Sequence, residues 1–450
     1  MSQKPLGWLG ILRFGLIQMS IGSAVVLTTS TLNRVMVVEL ALPAMLPGAL
    51  VGLHYAIQIL RPRWGYGSDV GGRRTPWIIG GMMVLVTGVV LAACATGLMG
   101  TDRTAGIALA VFAFLTIGAG AGACGTSLLV LLAIRVDERK RAAAATTVWL
   151  MMIAGLAVTA SVAGQFLDPY SPGRLIAVTG CVAAIAMTLT LIGIWGVKGR
   201  TDRIADPRSP LPQKTEAKKG PGFFAALRDV WSESSSRRFA LFVFVSMFAY
   251  SAQDLILEPF AGTVFGMTPG ESTQLSGLQH GGVFIGMVMV ALFGSVIARG
   301  RYGSMRAWAV GGCIASAFAL FAISAAGSFG PAFPIQTAVF ALGVANGAFA
   351  VAAIGSMMGL VREGREKREG TRMGMWGAAQ GIAFGLGGFM GTVAVDSVRF
   401  ASGSPETAYA AVFAIEGILF VLAGYLALRV TQRVRKEAFG FRAGTSASST

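Results

Sequence analysis

The chain has 450 residues, of which 54% are apolar and only 13% charged, with a mean hydropathy of +0.66. Soluble domains carry roughly 25% charge, so a soluble globular protein, a disordered chain and a disulfide scaffold are excluded. The net charge of +16 comes with no basic run interleaved with aromatics; it reads as attraction to anionic lipid rather than as a nucleic-acid footprint.

A helix that crosses a bilayer needs about 20 mainly apolar residues. In chain order such stretches fall near 11–32, 42–60, 76–98, 105–134, 143–166 and 174–196, then near 239–262, 274–298, 307–327, 334–360, 372–395 and 406–428. The pattern predicts an all-α membrane protein of twelve transmembrane helices, in six-helix bundles over 1–196 and 239–430. Between the bundles, 197–238 is polar and rich in Pro, Lys and Arg, and reads as a basic linker. Residues 431–450 read as a tail. The first apolar stretch is long enough to span and no small-residue cleavage site follows, so no cleaved signal peptide is expected. The 61 glycines, about twice the usual share, suit close approach of membrane helices. Cys94, Cys124, Cys181 and Cys313 lie in apolar stretches with no CxxC pair and read as packing residues.

Lys and Arg set the orientation. Placing the termini, the linker and every loop from an even to an odd span on one side leaves only Arg34, Arg103, Arg174 and Arg399, of 37 basic residues, on the other. One missed span would scramble that alternation. Both termini are therefore expected in the cytoplasm.

The loop after the second span reads Gly65-Tyr-Gly-Ser-Asp69-Val-Gly-Gly72-Arg73-Arg74. It resembles the signature of the major facilitator superfamily: a Gly-bounded turn with an Asp beside basic groups. Val70 stands where that signature has a basic residue. A degenerate counterpart, Gly294 to Gly303 with Ala298 for the Asp, follows the eighth span. Charged loops at 135–141 and 362–368 also match in place and character, as duplication would leave them. The resemblance implies the major facilitator fold.

Ionisable residues within spans are expensive and point to function. Asp254 and Glu258 lie one turn apart on span 7, and Glu416 lies within span 12. With Arg34 and Glu39 near the outer end of span 1, Asp254 and Glu258 are candidates for a polar clamp between the halves. Arg13 reads as a snorkelling cation. The two histidines, His54 and His280, fall on spans 2 and 8, which correspond in the two halves. Each has two readings: a hydrogen-bonded packing residue, or a neutral axial ligand for the magnesium of a chlorin.

Three strings are similar to a narrower family. They are Thr31-Leu-Asn33-Arg34-Val-Met-Val-Val-Glu39-Leu with Pro43, then Arg61-Pro-Arg63 with Gly65 and Asp69, then Gln253-Asp254-Leu-Ile-Leu-Glu258-Pro259-Phe with Val264-Phe-Gly-Met267. They resemble the PucC family, the bacteriochlorophyll-delivery branch of the superfamily, over roughly 10–430, and look closest to the subgroup labelled a bacteriochlorophyll synthase chain. The resemblance implies a non-enzymatic protein that handles bacteriochlorophyll, with light-harvesting or reaction-centre polypeptides or pigment-synthesis enzymes as partners. A prenyl-transferring enzyme would need clustered aspartates holding magnesium. The single Asp-x-x-x-Asp, Asp202 to Asp206, lies in the linker, and no free metal site is expected. Two other readings stay open: a proton-coupled small-molecule transporter using Asp254, Glu258 and Glu416, and an accessory subunit of bacteriochlorophyll synthesis.

Reporter fusions at Ser209 and at Glu437 are both expected to report the cytoplasm. A periplasmic signal at Ser209 would break the division into six and six.

Overall fold

The computed structural model describes residues 6–60, 74–137, 140–196, 231–232, 234–293, 304–363 and 369–445. Among these the regular elements are helices, with no strand. The first half holds α1 (Trp8–Glu39), α2 (Met45–Ile57), α3 (Thr75–Leu98), α4 (Arg103–Arg135), α5 (Arg141–Leu167) and α6 (Pro172–Ile194). The second holds α7 (Ser234–Phe265), α8 (Pro269–Leu292), α9 (Met305–Phe329), α10 (Ile335–Glu363), α11 (Glu369–Ser402) and α12 (Pro405–Thr445). Eleven are long and apolar enough to cross a membrane; the shorter α2, with a 3-10 turn to Leu60, ends where the described residues stop. Two ends differ from the sequence reading. Helix α1 runs on to Glu39 by winding into π turns at Leu27–Thr31 and Val35–Glu39. Helix α12 continues through Thr445, because its charged stretch can stay helical after the apolar part ends at Arg429.

Helix starts follow local chemistry. Ser171 accepts from the Arg174 N–H at 3.1 Å, with Pro172 in the first turn. Thr268 and Glu271 form a reciprocal capping box before α8.

Each half has its own apolar core. Phe14, Leu85, Phe114 and Ile117 lie in the first. Phe260, Phe349, Phe413 and Phe420 lie in the second, with edge-on ring pairs at 5.1 and 5.6 Å. Side chains such as Phe112, Ile185, Phe318 and Phe400 are exposed, as expected of surfaces that meet lipid rather than water.

The loops fall at two ends. At the basic end, Arg13 reaches the carbonyl oxygens of Ile192 (3.1 Å) and Trp195 at the close of α6. Arg306 reaches the Leu428 carbonyl on α12 at 3.0 Å. Cations at helix C-termini offset the helix dipole, so Arg13 does more than snorkel.

Helices α8 and α10 cross on glycine. A Cβ on Gly282 or Gly286 would run into the backbone of α10, and one on Gly343 or Gly347 into the backbone of α8. Gly347→Ala should therefore cost about 1–3 kcal/mol, read as a lower thermal midpoint in detergent. Gly311→Ala, where a Cβ meets open space, should leave the midpoint near wild type.

Candidate functional site between the two halves

The far end, opposite the basic loops, is where polar groups of the two halves meet. Its centre is a helix defect that is repaired from the other half. Pro259 lies inside α7 and has no N–H to give the Leu255 carbonyl four residues earlier. The Asn33 amide of α1 donates to that carbonyl at 2.5 Å instead. Beside it, Ser30 pairs with Ser276 at 3.0 Å and Thr31 with Thr273 at 3.1 Å, hydroxyl to hydroxyl, joining α1 to α8. All four hydroxyl-bearing residues are buried.

The π turns of α1 flank these contacts. Single π turns mark an extra residue inside a helix and are frequent at functional sites. Arg34 and Glu39 are five positions apart, and the α1 segment between them winds as π from Val35 to Glu39.

Two carboxylates close the rim. Asp168, after α5, accepts the Thr268 hydroxyl at 2.6 Å and the Gly270 N–H at 3.2 Å, at the start of α8. Asp396, on α11, accepts the Ala44 and Met45 N–H groups at 3.0 and 2.7 Å, at the start of α2. Helices α5 and α11 correspond in the two halves, as do α8 and α2. The same device, an acid on the bare N–H groups of a helix start, thus holds the halves together twice.

Arg34 is buried and donates to Glu39 at 2.5 Å and to the Met267 carbonyl at 2.5 Å. The sequence expectation put Arg34 in a polar clamp with Asp254 and Glu258; its guanidinium bonds Glu39 of its own helix and the Met267 carbonyl of the α7–α8 loop, in the other half. Tyr170, in the α5–α6 loop, lies near this pair. Its burial pushes the phenol up from its ordinary range; Glu39 adds to the rise and Arg34 opposes it.

The three intramembrane acids occupy two places. Glu258, 1% exposed, receives the Thr273 hydroxyl on Oε2 at 3.5 Å, while Oε1 has no partner. Asp254 instead lies within electrostatic reach of Glu416 and Tyr250. Glu416 is 2% exposed with both oxygens unpartnered, and the buried Gln253 amide is also unpartnered. A buried polar group without a partner costs about 1–3 kcal/mol, so this second place holds stored polar demand.

The histidines differ. His280 Nδ1 lies 2.8 Å from the Ser276 carbonyl, one turn back on α8. A carbonyl only accepts, so Nδ1 carries the proton and Nε2 keeps its lone pair. His54 Nε2 lies 2.9 Å from the Gln58 amide, and its ring stacks edge-on with Tyr55 at 4.9 Å. Tyr55 in turn packs on Phe384 of α11 at 5.6 Å, across the seam. Gly65, Asp69, Gly72 and Arg73 of the facilitator-type loop lie outside the described residues, as does its counterpart at 294–303. Arg74 is described and buried at the start of α3.

Asp168, Asp396, Ser30, Thr31, Thr273 and Ser276 carry the seam but were not singled out from the sequence. The signal for the hydroxyls was Ser and Thr recurring beside the acidic strings. The two rim acids look like ordinary loop charges until the halves are set together.

Two six-helix halves joined in this way define a multi-pass membrane protein of the major facilitator fold. A bacterial homologue of the human lysosomal transporter Spinster, solved in an inward-facing and occupied conformation, superposes with a TM-score of 0.62 at 15% identity, covering 96% of this chain and 98% of that one. That likeness speaks to the fold alone. The chain belongs to the PucC family, whose profile, described as PUCC protein, matches residues 31–435. It is 52% identical over 425 residues to the bacteriochlorophyll synthase 44.5 kDa chain of Rhodobacter capsulatus, covering 94% of this chain and 96% of that one. It is 30% identical over 435 residues to protein PucC of Cereibacter sphaeroides, covering 91% and 90%.

Removing charge at either rim acid should loosen the far end. Asp168→Asn and Asp396→Asn should each destabilise the protein by about 1 kcal/mol, the scale of a helix cap. The check is the thermal midpoint in detergent, together with faster labelling of cysteines placed at the rim. Unchanged values in both variants would make these contacts incidental.

Proposed function

We propose that the chain is a non-enzymatic membrane protein that holds or passes bacteriochlorophyll during assembly of photosynthetic complexes. The observation that carries this reading is the 52% identity, over nearly the whole chain, to a relative whose name links it to bacteriochlorophyll. The word synthase in that name is not extended to this chain, because the sequence offers one Asp-x-x-x-Asp in a linker and no second cluster. Light-harvesting or reaction-centre polypeptides, or pigment-synthesis enzymes, are the partners the reading implies. The charge alternation supports an inner-membrane location with both termini cytoplasmic.

When bound, a bacteriochlorophyll would supply a magnesium that takes a neutral nitrogen donor, within a largely apolar body. His280 would suit it by its nitrogen: the Nδ1 proton is held on the Ser276 carbonyl, which leaves Nε2 as the ring's other donor position. The back-bond fixes the tautomer and the ring plane, as second-shell partners do for ligating histidines. His54 suits it less, because Nε2 already faces Gln58. The two histidines are therefore unequal, and His280 would be the principal ligand.

The transporter reading has one observation in its favour, the unpartnered Glu416 within electrostatic reach of Asp254. Purification from pigmented membranes separates the two. On the pigment reading, bacteriochlorophyll co-purifies. His280→Ala then lowers the pigment-to-protein ratio severalfold and shifts the long-wavelength band, while His54→Ala has the smaller effect. A protein free of pigment that drives uptake of a soluble solute into vesicles would overturn it.

A further inference from the structure

Helices α1 and α7 end alike. In each, an N–H beyond the helix end donates six residues back: Leu42 to the Met36 carbonyl at 3.0 Å in α1, and Met267 to the Ala261 carbonyl at 3.3 Å in α7. In each, the residue just before that N–H turns left-handed. In α7 it is Gly266, at φ 66°, which has no Cβ to strain. In α1 it is Ala41, at φ 49°, the single non-glycine residue with positive φ among the described residues. There the Cβ crowds the following carbonyl oxygen. The strained residue stands just beyond the π turn Val35–Glu39.

Such a conformation persists only where its surroundings impose it. Here the second half grips both sides of it. Before Ala41, Asn33 is held at the Leu255 carbonyl and Arg34 at the Met267 carbonyl. After Ala41, the Ala44 and Met45 N–H groups are held by Asp396. Ala41 itself is exposed and adds little packing of its own. We propose that the α1–α2 corner, residues 35–45, is a spring wound by the other half. Closing the far end forces Ala41 left-handed and holds the π turn before it; parting the halves lets both relax. The seam is then weaker than its contacts alone would make it, and the residue at position 41 sets the balance between closed and parted halves. This role does not depend on what the protein carries.

The test uses the full chain in detergent with the four native cysteines replaced by Ala and Ser272→Cys as reporter. Ser272 shares a face of α8 with Ser276, one turn nearer the rim. It is fully buried, and its hydroxyl bonds the Pro269 carbonyl of its own helix. Because Ser276 meets Ser30 of the other half, the new thiol reacts with maleimide when the halves part. Cys124, buried in the core of the first half and kept as sole cysteine in a parallel chain, reports unfolding and should react far more slowly. Ala41→Gly removes the strain and keeps the contacts, so labelling of Ser272→Cys should slow about tenfold, equivalent to about 1.4 kcal/mol. Ala41→Val, whose branched side chain tolerates the left-handed region least, should speed it. Hydrogen exchange at the Leu42 amide should follow the same order. Should the Ser272→Cys chain fail to fold, Val38→Cys, which packs on Gly262 of α7, takes its place. Seam labelling that is equal in wild type and both variants overturns the proposal, even where Cys124 labelling slows in Ala41→Gly, because the strain would then be lost only on unfolding. So does a seam thiol that reacts no faster than Cys124.

Discussion

No water reaches the middle of a bilayer, so each polar backbone group there must find its partner within the protein. Pro259 breaks that rule inside α7 by leaving the Leu255 carbonyl without its helical donor, and Asn33 of the other half makes good the loss at 2.5 Å. A defect in one half is thereby repaired only when the halves are together. The other seam contacts surround that bond. Ser30 and Thr31 extend it to α8, and the π turns of α1 bracket the residues that make it.

The rim contacts repeat one arrangement in the two halves, while the strings on α1 and α7 differ. Asp168 on the start of α8 and Asp396 on the start of α2 are one device used twice. Where α1 carries Arg34 paired with Glu39 in a π turn, α7 carries Asp254 and Glu258 in regular α-helix. The acids therefore fall mainly in the second half. That half also contains His280, whose tautomer leaves Nε2 available.

This arrangement keeps two chemistries near one another without merging them. His280 carries its proton on Nδ1, held by the Ser276 carbonyl. Glu258 is buried on α7 and takes the Thr273 hydroxyl on Oε2. Ser276 touches both: its carbonyl orients the imidazole, and its hydroxyl lies beside the carboxyl group.

The sequence by itself determined the class of protein. Apolar stretches of spanning length fix the helices because lipid leaves the backbone no alternative, and the alternation of Lys and Arg fixes how the loops divide. The strings around Asn33, Arg34, Asp254 and Glu258 marked where the chain departs from plain membrane helix. Only the tertiary structure decided what those residues do. Arg34 turned to Glu39 and the Met267 carbonyl because the π turn brings its own helix into reach. Asp254 parted from Glu258 because its neighbours lie on α12 rather than α8. Asp168 and Asp396 gained meaning only from helix starts more than 100 residues away in the chain. Spacing along one helix reports which residues share a face, whereas the partner opposite that face is set by packing of the two halves, which no local pattern encodes.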